Sequence, residues 1–241
     1  MILTAHQPIY LTWLGLFHKI ALADVFVSFN QVQYLTKDWN NRNKIMTAQG
    51  PIWLTVPVLS SGHREKLLTE IEINNDVPWQ RKHWKSLYLN YQNTAHFKRY
   101  ADFFEDIYLK RTWKFLTELN DTMLLWFLNT LGIDTIFRDA RDYAFQGAKN
   151  TLVLDMCVQL QADAYMFGSL GREYADEESF SRRNIKPCFQ DYVHPVYPQQ
   201  SKTFVSHLSV IDLLFNCGPN SLDILMSGNV SKMQLQAGLA A

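Results

Sequence analysis

The stretch that decides the fold is residues 2–29, ILTAHQPIYLTWLGLFHKIALADVFVSF. Its first apolar run predicts a short strand, which ends at Pro8 because proline has a fixed φ and no N–H to donate. Apolar side chains then recur at helical spacing, and the closing run VFVSF predicts a second strand. A strand, a helix and a second strand form a βαβ unit, whose ligands bind beyond the carboxyl ends of the strands. His6 and Gln7 lie at that position and are therefore candidate site residues.

The remaining sequence predicts an α/β protein with an open, mainly parallel sheet. Alternating side chains near residues 40–73 predict a β-hairpin excursion, which includes a strand at 67–73. Helical spacing over about 76–131 predicts a helical insert. We expect a single domain over residues 1–228 and a frayed tail over 229–241, where the chain is polar and rich in small residues.

The composition indicates a globular protein of balanced charge. Of its 241 residues, 47% are hydrophobic and 19% are charged, and 23 Lys and Arg offset 23 Asp and Glu. Bulk charge therefore favours neither a nucleic acid nor an anionic membrane as the partner. No apolar run is long enough for membrane insertion, and the first residues lack the basic region of a signal peptide. The scattered cysteines, with no C-x-x-C pair, are typical of a reducing compartment, so we expect a cytoplasmic protein.

His6 has two readings. A histidine at the carboxyl end of a first strand can act as an acid, a base or a phosphate ligand, or it can simply hydrogen-bond the backbone of a turn. Nucleotidylyl transferases hold a triphosphate with histidines after the first strand, but His18 lies too far along the chain to form an H-x-x-H or H-x-G-H pair. The chain has no glycine-rich phosphate loop, so the sequence does not indicate ATP binding. Its histidines and cysteines lack zinc-ligand spacing, and no metal site is predicted.

A second group of candidates lies in residues 39–44, WNNRNK, which combine a guanidinium, an ammonium and several amides. Such groups suit a carboxylate or a phosphate, although a solvated loop that enters an edge strand has the same composition. The indoles beside these polar residues can line a cleft or fill the core. Further along, helical spacing places Trp79, Lys82 and His83 on one side of a helix. For that side we favour contact with solvent over contact with a ligand.

A later apolar strand ends at Gly168 and Ser169, which form a second candidate tip. Glycine allows close backbone approach and serine offers a hydroxyl, but the chain has no G-x-S-x-G elbow and no triad order to favour a nucleophilic serine. The stretch 190–197, QDYVHPVY, predicts an extended polar and aromatic binding wall because its proline restricts the backbone. A final amphipathic helix follows, with Ser206 or Ser209 as its cap.

Eight short motifs occur in a fixed order along residues 2–218: HQPIYLTWLG at 6–15, KIALAD at 19–24, WNNRN at 39–43, WLTVPV at 53–58, WQRKH at 79–83, YMFG at 165–168, QDYVHPVY at 190–197 and LSVIDLLFNCG at 208–218. Together they resemble the WbqC-like family, found among bacterial genes for O-antigen and other surface polysaccharides. Each motif is weak alone, whereas the ordered set covers nearly the whole chain. The family usually has a second proline where this chain has Thr12.

The resemblance implies an acyl- or aminoacyl-transferase, with glycine as one such unit, that acts on a nucleotide-linked amino sugar. Forming an amide on an amino sugar needs a base for the amine and hydrogen-bond donors for the developing oxyanion. His6 would be the base and Gln7 a catalytic donor, with Asn43 or the backbone at Gly168 and Ser169 as further donors. The residues that would bind the substrate are Tyr10, Trp13, Lys19, Trp39, Arg42, Asn43, Lys44, Lys82, His83, Gly168, Ser169, Tyr174, His194 and Tyr197.

The implied partners are the nucleotide-linked amino sugar and an activated acyl donor, for which a carrier protein is one candidate. Arg42 or Lys44 would hold the diphosphate of the nucleotide. The sequence names no cofactor and leaves a homodimer open. Two alternative functions stay open as well: an ATP-dependent ligase or adenylyltransferase, and a non-catalytic partner that binds a nucleotide sugar or a carrier protein.

Overall fold

A computed structural model describes residues 1–59 and 66–240; residues 60–65, inside the expected hairpin excursion, lie outside the described part. The strands are β1 (Ile2–His6), β2 (Val25–Ser28), β3 (Arg42–Thr47), β4 (Gly50–Thr55), β5 (Ile136–Asp139), β6 (Ala164–Phe167) and β7 (Lys186–Phe189). The α-helices are α1 (Leu14–Leu22), α2 (Trp79–Tyr91), α3 (Phe97–Glu105), α4 (Leu116–Leu131), α5 (Asn150–Gln159), α6 (Glu177–Ser181), α7 (Val210–Cys217), α8 (Ser221–Met226) and α9 (Lys232–Ala240).

Five strands form an open parallel sheet in the order β5-β2-β1-β6-β7, which confirms the predicted α/β fold. The chain leaves β1 towards β2 and β5 on one side and later returns to β6 and β7 on the other. The strand order therefore reverses between β1 and β6, which is where open α/β sheets bind their ligands. The central strands are buried on both faces because helices cover the sheet from both sides.

The strands β1 and β6 separate before they reach the carboxyl edge of the sheet. Their pairing stops at Leu3, whereas the pairing of β1 with β2 continues to His6. Beyond Leu3, the Thr4 hydroxyl donates to the Met166 carbonyl at 2.8 Å, so a side chain bridges the strands where the ladder has ended. This separation leaves room beside His6.

Two layers of helices cover the sheet. On one face, α1 and α7 share a core with the helical insert. The insert consists of α2, α3, a π-helical turn at Asp106–Lys110 and α4, which follow one another as predicted. On the other face, α5 and α6 pack on side chains from the middle of the sheet. None of the helices in the described residues is long and apolar enough to cross a membrane.

The β-hairpin is confirmed, since β3 and β4 pair antiparallel from Arg42–Thr55 to Thr47–Gly50. Asn43 fixes its position, because its Nδ2 donates to the carbonyls of Tyr10 and Leu11 at 3.2 and 2.9 Å. The hairpin therefore lies against the loop that follows β1.

The prediction of a strand at 67–73 is wrong. Residues Leu68–Glu70 form a 3-10 turn, which the Glu70 carboxylate closes by accepting a hydrogen bond from the Leu67 N–H at 2.7 Å. The alternating apolar residues are real, but their backbone forms single bridges to three separate segments instead of a ladder with one strand.

The last part of the chain is helical where we expected a frayed tail. Helix α9 is held by Lys232, whose Nζ lies 2.6 Å from the Asp24 carboxylate, and by Leu235 and Leu239, which pack on the sheet. Earlier in the chain, Ser209 caps α7 by accepting a hydrogen bond from the Ile211 N–H, as one of the two predicted caps.

Candidate functional site

A cavity of about 890 Å³ opens at the carboxyl edge of the sheet, where β1 and β6 separate. Its lining comes from the end of β1, the loop before β3, the first turns of α5, the segment after β6 and His207. A cavity of this size lies within the range of small-molecule binding sites. The predicted residues His6, Gln7, Trp13, Trp39 and Tyr174 are among those that line it.

His6 is held in one tautomer. Its Nδ1 lies 2.8 Å from the Gln7 carbonyl oxygen, which can only accept, so Nδ1 carries the proton and donates it. The other ring nitrogen, Nε2, is then left with its lone pair. Burial and then the nearby Lys19 ammonium lower the pKa of His6 to about 4, so the ring is neutral at pH 7. A neutral imidazole with an unprotonated Nε2 can accept a proton from a bound molecule.

Lys19 lies behind His6, outside the cavity lining. It is 5% exposed, and its Nζ donates to the Ala5 carbonyl at 3.0 Å. Burial lowers the pKa of Lys19 to about 8. Within residues 1–59 and 66–240, no carboxylate lies within ion-pair distance of this ammonium. Its charge therefore acts on the neighbouring His6 ring at the bottom of the cavity, which we call the cavity floor.

The polar part of the cavity contains two carboxylates, Asp38 and Glu173, which the sequence analysis did not select. Asn40 also lines the cavity, and its Nδ2 donates to the Pro8 carbonyl at 2.9 Å and, more weakly, to Gln7 Oε1 at 3.4 Å. This contact fixes the Gln7 side-chain oxygen as an acceptor. The Gln7 amide N–H groups therefore remain as donors.

The aromatic wall is formed by Trp13 and His207, whose rings stack with centroids 6.1 Å apart. His207 is positioned by His194, because the His207 N–H donates to His194 Nε2 at 3.2 Å. The other ring nitrogen of His194 donates to the Pro195 carbonyl at 2.9 Å. His194 therefore supports the wall from behind and does not line the cavity.

The apolar wall comes from α5, through Leu152, Val153 and Met156. Lys149, at the residue before this helix, lines the same side and has a positive φ of 50°. Sequence reasoning missed this wall because the spacing of these side chains is that of any helix packed on a sheet. Lys149, at the start of that helix, and the isolated His207 carried no motif.

Tyr10 and His83, which the resemblance offers as substrate contacts, lie in a buried network away from the cavity. The Tyr10 hydroxyl donates to His83 Nδ1 at 2.7 Å and also contacts the Tyr108 hydroxyl. The other ring nitrogen of His83 carries the N–H and donates to the Thr55 carbonyl, and burial lowers the pKa of His83 to about 4. The network ties the loop after β1 to α2 and β4.

The expectation that one side of α2 faces solvent is wrong for two of the three residues on that side. Trp79 is 3% exposed and His83 is 6% exposed, because both pack in the network around Tyr108, whereas Lys82 is exposed. The helical spacing was right, but the sequence did not show that Tyr108 covers this side.

The remaining candidates lie outside the lining. Tyr197 is buried and donates to the Asp212 carboxylate at 3.0 Å. The loop tip at Gly168 and Ser169 follows β6 at the cavity edge, with the serine exposed. Arg42, Asn43 and Lys44 all lie on the hairpin: Asn43 is buried, while the two cations contact the Trp53 ring.

Comparison with known proteins confirms the family that the sequence motifs resemble. The WbqC-like protein family matches residues 7–224. A Mycobacterium tuberculosis protein, described as the uncharacterized protein Rv1507c, is 36% identical over 220 residues, which cover 91% of this chain and 95% of that protein. No solved structure matches the chain. The chain belongs to the WbqC-like protein family.

Proposed function

We propose that this protein transfers an acyl or aminoacyl unit onto the amine of an amino sugar that binds in the cavity. The observation that carries the proposal is the tautomer of His6, which leaves Nε2 unprotonated on a residue that lines the cavity at the switch point of the sheet. A general base for an amine must be unprotonated and within hydrogen-bond reach of the bound amine.

The reaction needs one proton to move. The amine nitrogen attacks the carbonyl carbon of an activated donor such as a thioester, and a C–N bond forms. His6 Nε2 takes the proton from that nitrogen and returns it to the leaving group as the bond between the carbonyl carbon and the leaving group breaks. The negative oxygen of the tetrahedral intermediate raises the proton affinity of His6 while it is present. The pKa of His6, which burial and Lys19 lower to about 4, therefore rises during the reaction.

Two further features support an amine acceptor. Asp38 and Glu173 line the cavity and attract an amine in its ammonium form, which releases one proton to solvent before its nitrogen attacks. The Gln7 amide, oriented by Asn40, is the donor for the developing oxyanion. Asn43 is not available for that role, because its Nδ2 already donates to two backbone carbonyls.

The proposal is tested by incubating the protein with free and nucleotide-linked amino sugars together with acyl-CoA thioesters, and by detecting the amide product with mass spectrometry. We expect His6→Ala to lower kcat/KM by about 100-fold or more, while circular dichroism shows an unchanged fold. The exposed Lys98→Ala on α3 serves as the control. A near-wild-type kcat/KM for His6→Ala would exclude His6 as the base.

One observation also favours the ATP-dependent alternative. Open parallel sheets bind nucleotides at the switch point, and His6 ends the strand beside it. Pyrophosphate release, measured with and without ATP, separates a ligase from a transferase that uses an activated donor. A ligand that raises the Tm without turnover in any combination would instead support a non-catalytic binding partner.

A further inference from the structure

A patch of two cations and two indoles lies on the hairpin and on the loop before it, next to the cavity. We call it the hairpin patch and define it as Trp39, Arg42, Lys44 and Trp53. Arg42 and Lys44 lie over the Trp53 ring, with the guanidinium carbon 4.5 Å and the ammonium nitrogen 5.0 Å from its centroid. The Trp39 and Trp53 centroids are 5.2 Å apart. Because Trp39 also lines the cavity, the patch continues the cavity outward.

Among the residues that the structure describes, the two cations of the hairpin patch have no acidic partner. The Arg42 guanidinium donates to the Lys37 carbonyl, while its Nε is buried without a hydrogen-bond partner among the described residues. In the same part of the chain neither Arg42 nor Lys44 forms an ion pair, whereas Arg111, Arg141 and Arg172 each pair with an aspartate. The patch is therefore positive, with donors left for an anion.

The patch also exposes aromatic surface. Trp39 and Trp53 are 37% and 42% exposed, so part of each indole ring faces solvent. A planar base can stack on such a ring, and a guanidinium matches the oxygens of a phosphate group. Two cations two residues apart on one strand face can contact two phosphates.

The cavity lining carries charges of both signs, whereas the hairpin patch carries only cations. Asp38, Glu173 and Lys149 line the cavity, while Arg42 and Lys44 lie outside it on the hairpin. A ligand with an anion at one end and an amine at the other can therefore place the anion on the patch and the amine beside the two carboxylates. A nucleoside diphosphate joined to an amino sugar has this distribution of charge.

We infer that the hairpin patch is the subsite for a nucleoside diphosphate, with the diphosphate on Arg42 and Lys44 and the base against Trp39. The inference rests on the proposed function, because it makes the acceptor sugar a nucleotide-linked one. It assigns the anion to the hairpin and the amine to the cavity floor at His6.

The test is calorimetric titration of the protein with UDP, ADP, GDP, CDP and dTDP. We expect one or more of them to bind, and the double variant Arg42→Met/Lys44→Met to weaken that binding by about tenfold or more. The matched control Lys98→Met/Arg99→Met removes the same charges from the exposed surface of α3 and should change binding less than about twofold. The corresponding nucleoside without phosphate should bind at least about tenfold more weakly than its diphosphate.

Two results would overturn the inference: no binding of any of the five diphosphates, or binding that the double variant retains within about twofold. If the double variant has a lowered Tm, Lys44→Met alone is titrated, with Lys98→Met as its control. The proposed function fails separately. Amide formation on a free amino sugar without diphosphate binding would exclude only the subsite, whereas diphosphate binding without any acyl transfer would exclude only the transferase.

Discussion

His6 and Lys19 show how one buried charge sets the state of a neighbouring group. Lys19 is 5% exposed and, within residues 1–59 and 66–240, has only a backbone carbonyl as its partner, so it is costly to keep charged. At the cavity floor, the Lys19 ammonium opposes protonation of His6. The pair keeps the imidazole neutral over the whole physiological pH range.

We therefore expect Lys19→Met to raise the pKa of His6. The value should rise from about 4 but stay below the ordinary 6.5, because burial, the larger cause, remains. Imidazole NMR of histidine-labelled protein measures the titration directly, and the exposed Lys98→Met is the control. An unchanged His6 titration in a folded Lys19→Met variant would show that the ammonium has no influence on the ring.

At the scale of elements, an extended segment closes one side of the site; we call residues 190–208 the strap. Asp212 on α7 holds it, since its carboxylate accepts hydrogen bonds from Tyr197 and Gln199, each at 3.0 Å, and from Tyr91 of α2 at 2.8 Å. This single carboxylate joins the strap to two helices. The strap in turn carries His207 to the cavity wall.

Asp212→Asn should loosen the strap, because an amide has one acceptor oxygen in place of two and brings a donor against hydroxyl donors. We expect a loss of about 2 kcal/mol in the free energy of unfolding, measured in urea. Amide hydrogen exchange should accelerate at His207, whose N–H depends on His194 within the strap. The exposed Asp223→Asn on α8 is the control, and equal exchange in both variants would contradict the role of Asp212.

Periodicity predicted the βαβ start, the hairpin and the helical insert, because each is set by neighbours in sequence. It failed at 67–73, where apolar alternation is real but the pairing partners come from three distant segments. For the site, position after β1 sufficed to find His6 and Gln7. The apolar wall of α5 could not be found, because Leu152 and Met156 have ordinary core spacing and only the tertiary fold places them at a cavity.

For the whole molecule, buried neutral histidines make stability depend on pH. The pKa values of His6 and His83 are both about 4 in the folded protein, against 6.5 when unfolded, so the unfolded chain binds more protons between these values. Stability should therefore fall as the pH falls from 6.5 towards 4. Asp121, whose burial raises its pKa to about 6, opposes this loss over much of the same range.

We expect a net loss of a few kcal/mol between pH 7 and pH 4, on the order of 3, measured by urea unfolding at several pH values. His83→Gln should flatten this dependence because it removes one of the two buried rings while its amide can still meet Tyr10. A pH slope that is as steep in His83→Gln as in the wild type would show that His83 does not contribute.

The first strand of the chain lies in the middle of the sheet, between a neighbour that follows it at once and another, β6, that begins at Ala164. During synthesis, β1 can pair early with β2, but its second edge stays uncovered until most of the chain has left the ribosome. Contacts between residues so far apart in sequence form late and slow the folding of a chain. The edge that later borders the cavity is thus also the seam of the sheet whose two strands lie farthest apart in sequence.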